Sequence, residues 1–257
     1  MTRKIAEFRN RLAAAQPIIG TFVKTPSPVL MEVLGLTELD VCCLDAEHAP
    51  FGRMEIDGCV AVLRFADMPS LVRVPDDSER EIRNALDAGA TGILVPHVTS
   101  RQQAEKIAKA AHFGEGGRGY AGSTRAAGFT TKAMPDHLAD SAEQTVVIAQ
   151  IEDQAALPDL EEIFSAEGVD AFFVGRIDLA VSMGLSAADP EVIKVVEDIC
   201  RKAREMGKII GMFVPAVAEV PKWRSLGATF FLLGSDQSFI HSGASALVSA
   251  FNAESGN

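Results

Sequence analysis

Eight short apolar segments, separated by longer amphipathic stretches, constrain the fold of this chain more than any other feature. Each segment is apolar along its whole length and does not alternate with polar residues, which is typical of parallel strands covered on both faces. Eight strand–helix units within about 250 residues match the size of a (β/α)8 TIM barrel. The predicted strands are Ile18–Val23, Asp40–Leu44, Ser70–Val74, Gly92–Pro96, Val146–Ile151, Ala171–Gly175, Ile209–Val214 and Thr229–Gly234.

The stretches between these segments carry helix start and stop signals. Ser100 is a good N-cap for a helix over Gln102–His112, and Pro190 is placed to begin a helix that runs to Met206. Residues 1–16 precede the first strand and also have a helical pattern. We therefore expect an extra N-terminal helix, placed to close the bottom of the barrel.

No Gly/Ser-rich or Pro-rich linker interrupts the chain, so the sequence predicts a single domain over residues 1–257. An open, doubly wound α/β sheet is the alternative fold. It usually has fewer strands, and no Gly-rich phosphate-binding motif follows the first predicted strand.

Composition argues against nucleic-acid and membrane partners. The formal net charge is −11 and the cations are scattered among acids, which argues against nucleic-acid binding. No apolar run approaches the ~18 residues of a membrane span, and the charged N-terminus does not resemble a secretory signal. The four cysteines lack metal-ligand spacing. We expect reduced thiols and a cytoplasmic location.

Charged side chains follow several of the predicted strands at the ends that carry chemistry in a barrel. Glu152 and Asp178 follow neighbouring strands, and paired carboxylates repel each other unless a cation neutralises them. Oxygen ligands of this kind suit Mg²⁺ or Mn²⁺. Asp45 and His48 form a candidate oriented base, with the carboxylate holding the imidazole. Arg73 is a candidate anion ligand.

A purely structural role stays open for each of these side chains. Asp178 is placed where it could cap the following helix, and Glu152 could be a solvated loop acid. His48 could be a turn residue, and Arg73 could pair with acids of the following loop.

Six short motifs spread over the chain together resemble the HpcH/HpaI aldolase family of metal-dependent class II aldolases for pyruvate-type donors. The resemblance implies reversible aldol cleavage of a 4-hydroxy-2-oxo acid to pyruvate, or a close analogue such as hydroxypyruvate, and an aldehyde. The motifs are Leu44-Asp-Ala-Glu-His-Ala-Pro, Leu71-Val-Arg-Val, Gly92-Ile-Leu-Val-Pro, Gly117-Arg-Gly, Gln150-Ile-Glu and Val174-Gly-Arg-Ile-Asp-Leu.

The resemblance also assigns roles to individual residues. Glu152 and Asp178 match the family's ligands for a divalent ion (Mg²⁺, Mn²⁺ or Co²⁺), and Asp45 and His48 match its acid/base dyad. Arg73 matches the arginine that contacts the keto oxygen of the donor.

Two further matches concern the substrate. Gln150 corresponds to a residue near the metal and substrate, and the backbone amides of Ile177 and Asp178 correspond to those that receive the donor carboxylate. Arg176 and His97 depart from the family pattern, in which the first position is commonly Pro and the second is often apolar. Arg176 is expected either to point outward or to bind an acidic substrate.

Two alternative functions remain at this point. One is a citrate-synthase-like enzyme or CoA-ester lyase on the same scaffold, although no basic surface for CoA phosphates is evident. The other is a non-catalytic protein that binds a metal and a 2-oxo acid. The resemblance also implies a homo-oligomer, a hexamer or trimer of dimers. Arg118 or Arg125, in the Gly-rich segment Gly114–Gln144, is expected to order an interface or a neighbouring pocket.

Overall fold

Eight parallel strands close into a barrel in which each strand pairs with the next along the chain and the last returns to the first. The structure, a computed structural model, describes residues 4–255. All eight predicted strands are confirmed, and each end lies within one residue of its prediction. The strands are β1 (Ile18–Val23), β2 (Val41–Asp45), β3 (Ser70–Arg73), β4 (Gly92–Val95), β5 (Val146–Ile151), β6 (Ala171–Val174), β7 (Ile210–Val214) and β8 (Ala228–Ser235).

Helices connect the strands and cover the outside of the barrel, which confirms the (β/α)8 prediction. Two short 3-10 turns also occur, at Gln154–Asp159 and Val217–Glu219. The helices are α1 (Lys4–Ala13), α2 (Pro28–Gly35), α3 (Arg53–Phe65), α4 (Glu79–Asp87), α5 (Arg101–Ala111), α6 (Met134–Gln144), α7 (Leu160–Phe164), α8 (Arg176–Ser182), α9 (Pro190–Glu205), α10 (Val220–Ser225) and α11 (Asp236–Glu254).

Local sequence signals explain where several helices begin. The hydroxyl of Ser100 accepts a hydrogen bond from the backbone N–H of Gln103, so this residue caps α5 as predicted. Pro190 occupies the first position of α9, where its missing N–H has no intrahelical partner to lose.

The extra helix α1 closes one end of the barrel. Its Phe8 and Leu12 are almost fully buried and belong to the same apolar cluster as Ile18 and Val146, which begin their strands. These contacts place α1 at the N-terminal ends of the strands. The opposite end, where the strands finish, stays open for chemistry.

The last helix, α11, stands apart from this packing. After the buried Asp236 at its first position, every described residue of the helix is exposed, including five large apolar side chains. The five apolar side chains are Phe239, Ile240, Leu247, Val248 and Phe251.

Among residues 4–255, no helix has both the length and the apolar character needed to cross a membrane.

Candidate active site

Most of the predicted site residues line one cavity of about 320 Å³ at the C-terminal end of the barrel. The two that do not line it, Asp45 and Glu152, are buried directly behind residues that do. The barrel thus brings together side chains that are far apart in sequence. The predicted residues that line the cavity are His48, Arg73, Gln150, Ile177 and Asp178.

Arg73 and Asp45 form a buried, two-pronged ion pair. They lie opposite each other in the register of β2 and β3, and the guanidinium donates to both carboxylate oxygens at 2.9 and 2.8 Å. Lys24 Nζ lies 3.1 Å from the same carboxylate. Burial raises the pKa of Asp45, but the hydrogen bonds and charge of Arg73 outweigh this and hold the pKa below its usual value.

His48 is tied to Asp45 through its backbone and not through its ring. The Asp45 carboxylate accepts a hydrogen bond of 3.1 Å from the His48 backbone N–H, while the His48 Nε2 atom faces Glu47 Oε2 at 3.6 Å. The predicted contact between the Asp45 carboxylate and the imidazole is therefore not formed, because Arg73 and the amide already occupy that carboxylate. The half-exposed ring of His48 instead lines the cavity.

Glu152 is a buried acid, which excludes the alternative that it is a solvated acid of a surface loop. Its side chain is 1% exposed and accepts hydrogen bonds from the Gln150 amide and from the His97 backbone N–H. A side-chain carbon at Gly175 would lie 2.5 Å from the Glu152 carboxylate, so only glycine leaves room for it. Burial raises the pKa of Glu152 to about 7, and the negative charge of Glu47 adds to the effect.

Two residues that sequence reasoning did not assign to the site, Glu47 and His97, join Glu152 there. The three side chains offer ligand atoms that all lie within 4.8 Å of one another. Glu47 Oε1 is 3.3 Å from His97 Nε2. The available signals were weak: Glu47 follows Asp45 by two residues, and His97 follows shortly after β4.

Asp178 lies in the first turn of α8 and faces the cavity. The cap position belongs to Gly175, which has no capping side chain, so Asp178 does not act as the N-cap. Within residues 4–255 its carboxylate has no hydrogen-bond or ion-pair partner. It remains available as a ligand, although the compact group of Glu47, His97 and Glu152 does not include it.

Arg176 lines the cavity but is paired within the chain. Its Nη1 and Nη2 atoms lie 2.7 and 3.4 Å from the carboxylate oxygens of Glu219, and its guanidinium lies 6.0 Å from the Trp223 ring centre. Of the two alternatives for Arg176, the outward orientation is therefore not observed, because the side chain pairs with Glu219 at the cavity. Binding of an acidic substrate by Arg176 stays a prediction.

The residues present fit a divalent metal ion. Glu47 Oε2 is buried and accepts no hydrogen bond, although Arg73 Nη1 lies 3.2 Å away, and the buried Gln150 Oε1 also lacks a donor. Burial, and to a smaller extent the charge of Glu47, raises the pKa of Glu152, while Arg73 lies beside Glu47 only, so a divalent ion would stabilise the ionised Glu152. Carboxylate oxygens together with an imidazole nitrogen are suitable ligands for ions such as Mn²⁺ and Co²⁺.

Comparison with known proteins identifies the family. The sequence profile of HpcH/HpaI aldolase/citrate lyase matches residues 18–242. The chain belongs to this family. A 5-keto-4-deoxy-D-glucarate aldolase of Klebsiella pneumoniae is 36% identical over 248 residues, which cover 95% of this chain and 96% of that protein.

Solved structures agree with this assignment. An HpcH/HpaI aldolase/citrate lyase family protein from Burkholderia cenocepacia superimposes with a TM-score of 0.90 at 27% identity, covering 96% of this chain and 99% of that one. The citrate synthase SbnG gives a TM-score of 0.86 at 26% identity, covering 97% and 98%. The family match and the relatives confirm the predicted family and fold, and they support the predicted enzyme class, a carbon–carbon lyase.

Proposed function

We propose that this protein catalyses the reversible, metal-dependent cleavage of a 4-hydroxy-2-oxo acid into pyruvate, or a close analogue, and an aldehyde. The observation that carries the proposal is the group of buried carboxylates beside a cavity at the open end of the barrel. The Klebsiella relative is named for 5-keto-4-deoxy-D-glucarate, in which a CH₂ separates a 2-oxo acid group from a hydroxyl-bearing carbon. That is the bonding pattern that a retro-aldol reaction requires.

We assign the metal ion to Glu152 and Asp178, with Mg²⁺, Mn²⁺ or Co²⁺ as candidates. When bound, the ion supplies a Lewis acid that withdraws electron density from the keto group of the donor. Glu152 lies behind the cavity and is held in place by Gln150 and by the close approach of Gly175. Asp178 faces the cavity, with a carboxylate that has no partner among residues 4–255.

The remaining residues of the site bind the pyruvate part of the substrate and remove the proton of its C4 hydroxyl. The backbone N–H groups of Ile177 and Asp178 open α8, have no intrahelical acceptor and suit the donor carboxylate. Arg73 is placed to share the negative charge that grows on the keto oxygen. His48 is placed to take the proton from the C4 hydroxyl, and Asp45 positions it through the backbone of its turn.

A pyruvate-release assay tests this function directly. Across a panel of 4-hydroxy-2-oxo acids, we expect turnover that is lost after thorough chelation and restored by Mg²⁺, Mn²⁺ or Co²⁺. Activity that persists after chelation, together with a covalent enzyme–substrate adduct that borohydride traps, would instead indicate a Schiff-base lysine. Lys24 is the nearest candidate.

A citrate-forming reaction is the second candidate, because SbnG covers nearly the whole chain at 26% identity. Incubation with oxaloacetate and an acetyl donor separates the two, since citrate would accumulate in place of pyruvate. The third alternative, binding without chemistry, predicts calorimetric binding of metal and pyruvate with no turnover on any acid of the panel.

We further propose that the whole chain forms one aldolase domain that acts as a homo-oligomer in the cytoplasm. All four cysteines are buried and unpaired, which suits a reducing compartment. The exposed apolar side chains of α11 form a surface that association would bury. Arg118 and Arg125 are paired with Asp87 and Asp57 of the same chain, so α11 is the better candidate for the contact.

Disrupting the apolar surface of α11 should change the oligomeric state. We expect the double variant Leu247→Glu/Phe251→Glu to shift the mass measured by light scattering from an oligomer toward the monomer, because two charges would have to be buried. The matched control is Ser249→Glu on the same helix. A wild-type protein that is already monomeric contradicts the proposal.

A further inference from the structure

We propose that His97 is a ligand of the divalent ion and that its imidazole nitrogen determines which ions this site prefers. The inference rests on the proposed metal-dependent function and extends it to a residue at which the chain departs from the family pattern. Glu47, which faces the same ring, would belong to the same ligand set.

The backbone holds His97 in an unusual position. Its φ is 56°, in the left-handed region that non-glycine residues rarely adopt. The His97 N–H donates to Glu152 Oε1 at 3.0 Å, so the backbone conformation is tied to a predicted metal ligand. Strain of this kind persists where the surrounding structure requires it, and here it presents the imidazole to Glu47 and Glu152.

The two ring nitrogens of His97 have different surroundings. Nδ1 lies 3.0 Å from Asp153 Oδ2 and can donate its hydrogen there. A carboxylate that accepts this hydrogen leaves the lone pair on the other nitrogen, as in metal sites where a carboxylate orients a histidine ligand. That other nitrogen, Nε2, faces Glu47 Oε1 at 3.3 Å.

The ring and Glu47 bring two ligand atoms to one place. The Nε2 atom of His97 and the Oε1 atom of Glu47 lie 3.3 Å apart, and Glu152 offers a third ligand atom within 4.8 Å of both, so a cation beside them can be bound by all three side chains. Glu47 is nine-tenths buried, and its second oxygen, Oε2, accepts no hydrogen bond. Glu47 therefore brings a largely buried carboxylate to the same place, with Oε1 toward His97 and Oε2 toward Arg73 Nη1 at 3.2 Å.

A nitrogen ligand changes the relative affinities of the site for different divalent ions. Mg²⁺ prefers oxygen ligands, whereas imidazole favours later divalent ions such as Co²⁺. We expect the wild type to bind Co²⁺ more tightly than Mg²⁺, and His97→Asn to lose at least about tenfold in Co²⁺ affinity with little change for Mg²⁺. Asn is chosen because it tolerates the left-handed backbone.

Titration calorimetry with Mg²⁺ and Co²⁺ measures these affinities without any substrate. The control His241→Asn, on the exposed part of α11, should leave both affinities unchanged. Asp153→Asn keeps the imidazole but removes its orienting carboxylate, so we expect a smaller loss that is also selective for Co²⁺. Pulsed electron paramagnetic resonance of the Mn²⁺-loaded wild type should detect coupling to a ¹⁴N nucleus, a readout that does not depend on any variant folding.

The outcomes separate this inference from the proposed function. Equal Co²⁺ and Mg²⁺ losses in His97→Asn, or no loss, together with no ¹⁴N coupling, would overturn the role of His97 while leaving metal-dependent cleavage intact. A wild type that binds none of these ions would overturn both.

Discussion

Replacing Glu152 with Gln will abolish metal binding and turnover while it stabilises the metal-free protein. At pH 8 the wild-type Glu152 is ionised, although burial and Glu47 raise its pKa to about 7. The unfolded chain has a pKa near 4.5, so holding this charge in the folded state costs about 3 kcal/mol above pH 7. Gln keeps the shape of the side chain without the charge. Its oxygen can accept the hydrogen bond from the His97 N–H, and its NH2 group can donate to Gln150 once that amide turns its unpaired oxygen toward it.

The pH dependence of this difference provides the critical measurement. Because the pKa of Glu152 is raised in the folded state, this residue does not destabilise the wild type below about pH 4.5. Its destabilising effect on the free energy of unfolding grows as the pH rises from there to about 7. In chelator, the free energy of unfolding of Glu152→Gln should exceed that of the wild type at pH 8, and the two should converge by pH 5. The exposed Glu162→Gln is the matched control and should show no difference at either pH.

The same variant should lose metal binding by calorimetry and at least about 10³-fold in turnover, because several kcal/mol of charge stabilisation disappear. A variant that binds Mg²⁺ or Co²⁺ as the wild type does would contradict the assignment of Glu152 as a ligand. A variant less stable than the wild type at pH 8 would contradict the electrostatic argument.

Replacing Arg73 with Met will remove activity and destabilise the fold by about 3–5 kcal/mol at neutral pH, because it leaves the buried Asp45 carboxylate without its main partner. Lys24 stays beside Asp45 and makes a single contact. Thermal and denaturant unfolding measure the loss. Acidification should reduce it, since a protonated Asp45 no longer needs a counter-charge.

A second substitution separates stability from catalysis. Arg73→Met combined with Asp45→Asn removes both charges of the pair, so much of the stability should return while turnover stays absent. The control Arg201→Met breaks an exposed ion pair with Asp198 and should cost no more than about 1 kcal/mol. Full activity in either Arg73 variant would remove this residue from the proposed mechanism.

Local patterns in the sequence were sufficient to predict the barrel. Continuous apolar runs predict the strand positions, because strands buried on both faces tolerate few polar side chains. Helix caps such as Ser100 act within a few residues and are equally visible. Once parallel strands are expected, all their C-terminal ends must share one mouth, which brought Arg73, Gln150 and Asp178 to one cavity.

The choice of partners within that mouth required the tertiary structure. The register of β2 against β3 sets Asp45 opposite Arg73, so the carboxylate binds the guanidinium and not the His48 ring. Glu47 and His97 come from different loops and meet only when the barrel closes. The sequence by itself determined which strand ends carry most of the site's polar side chains, because strand positions and their burial follow from local apolar patterns. Which of them touch depends on strand register and side-chain packing between distant segments, and only the folded chain decides those.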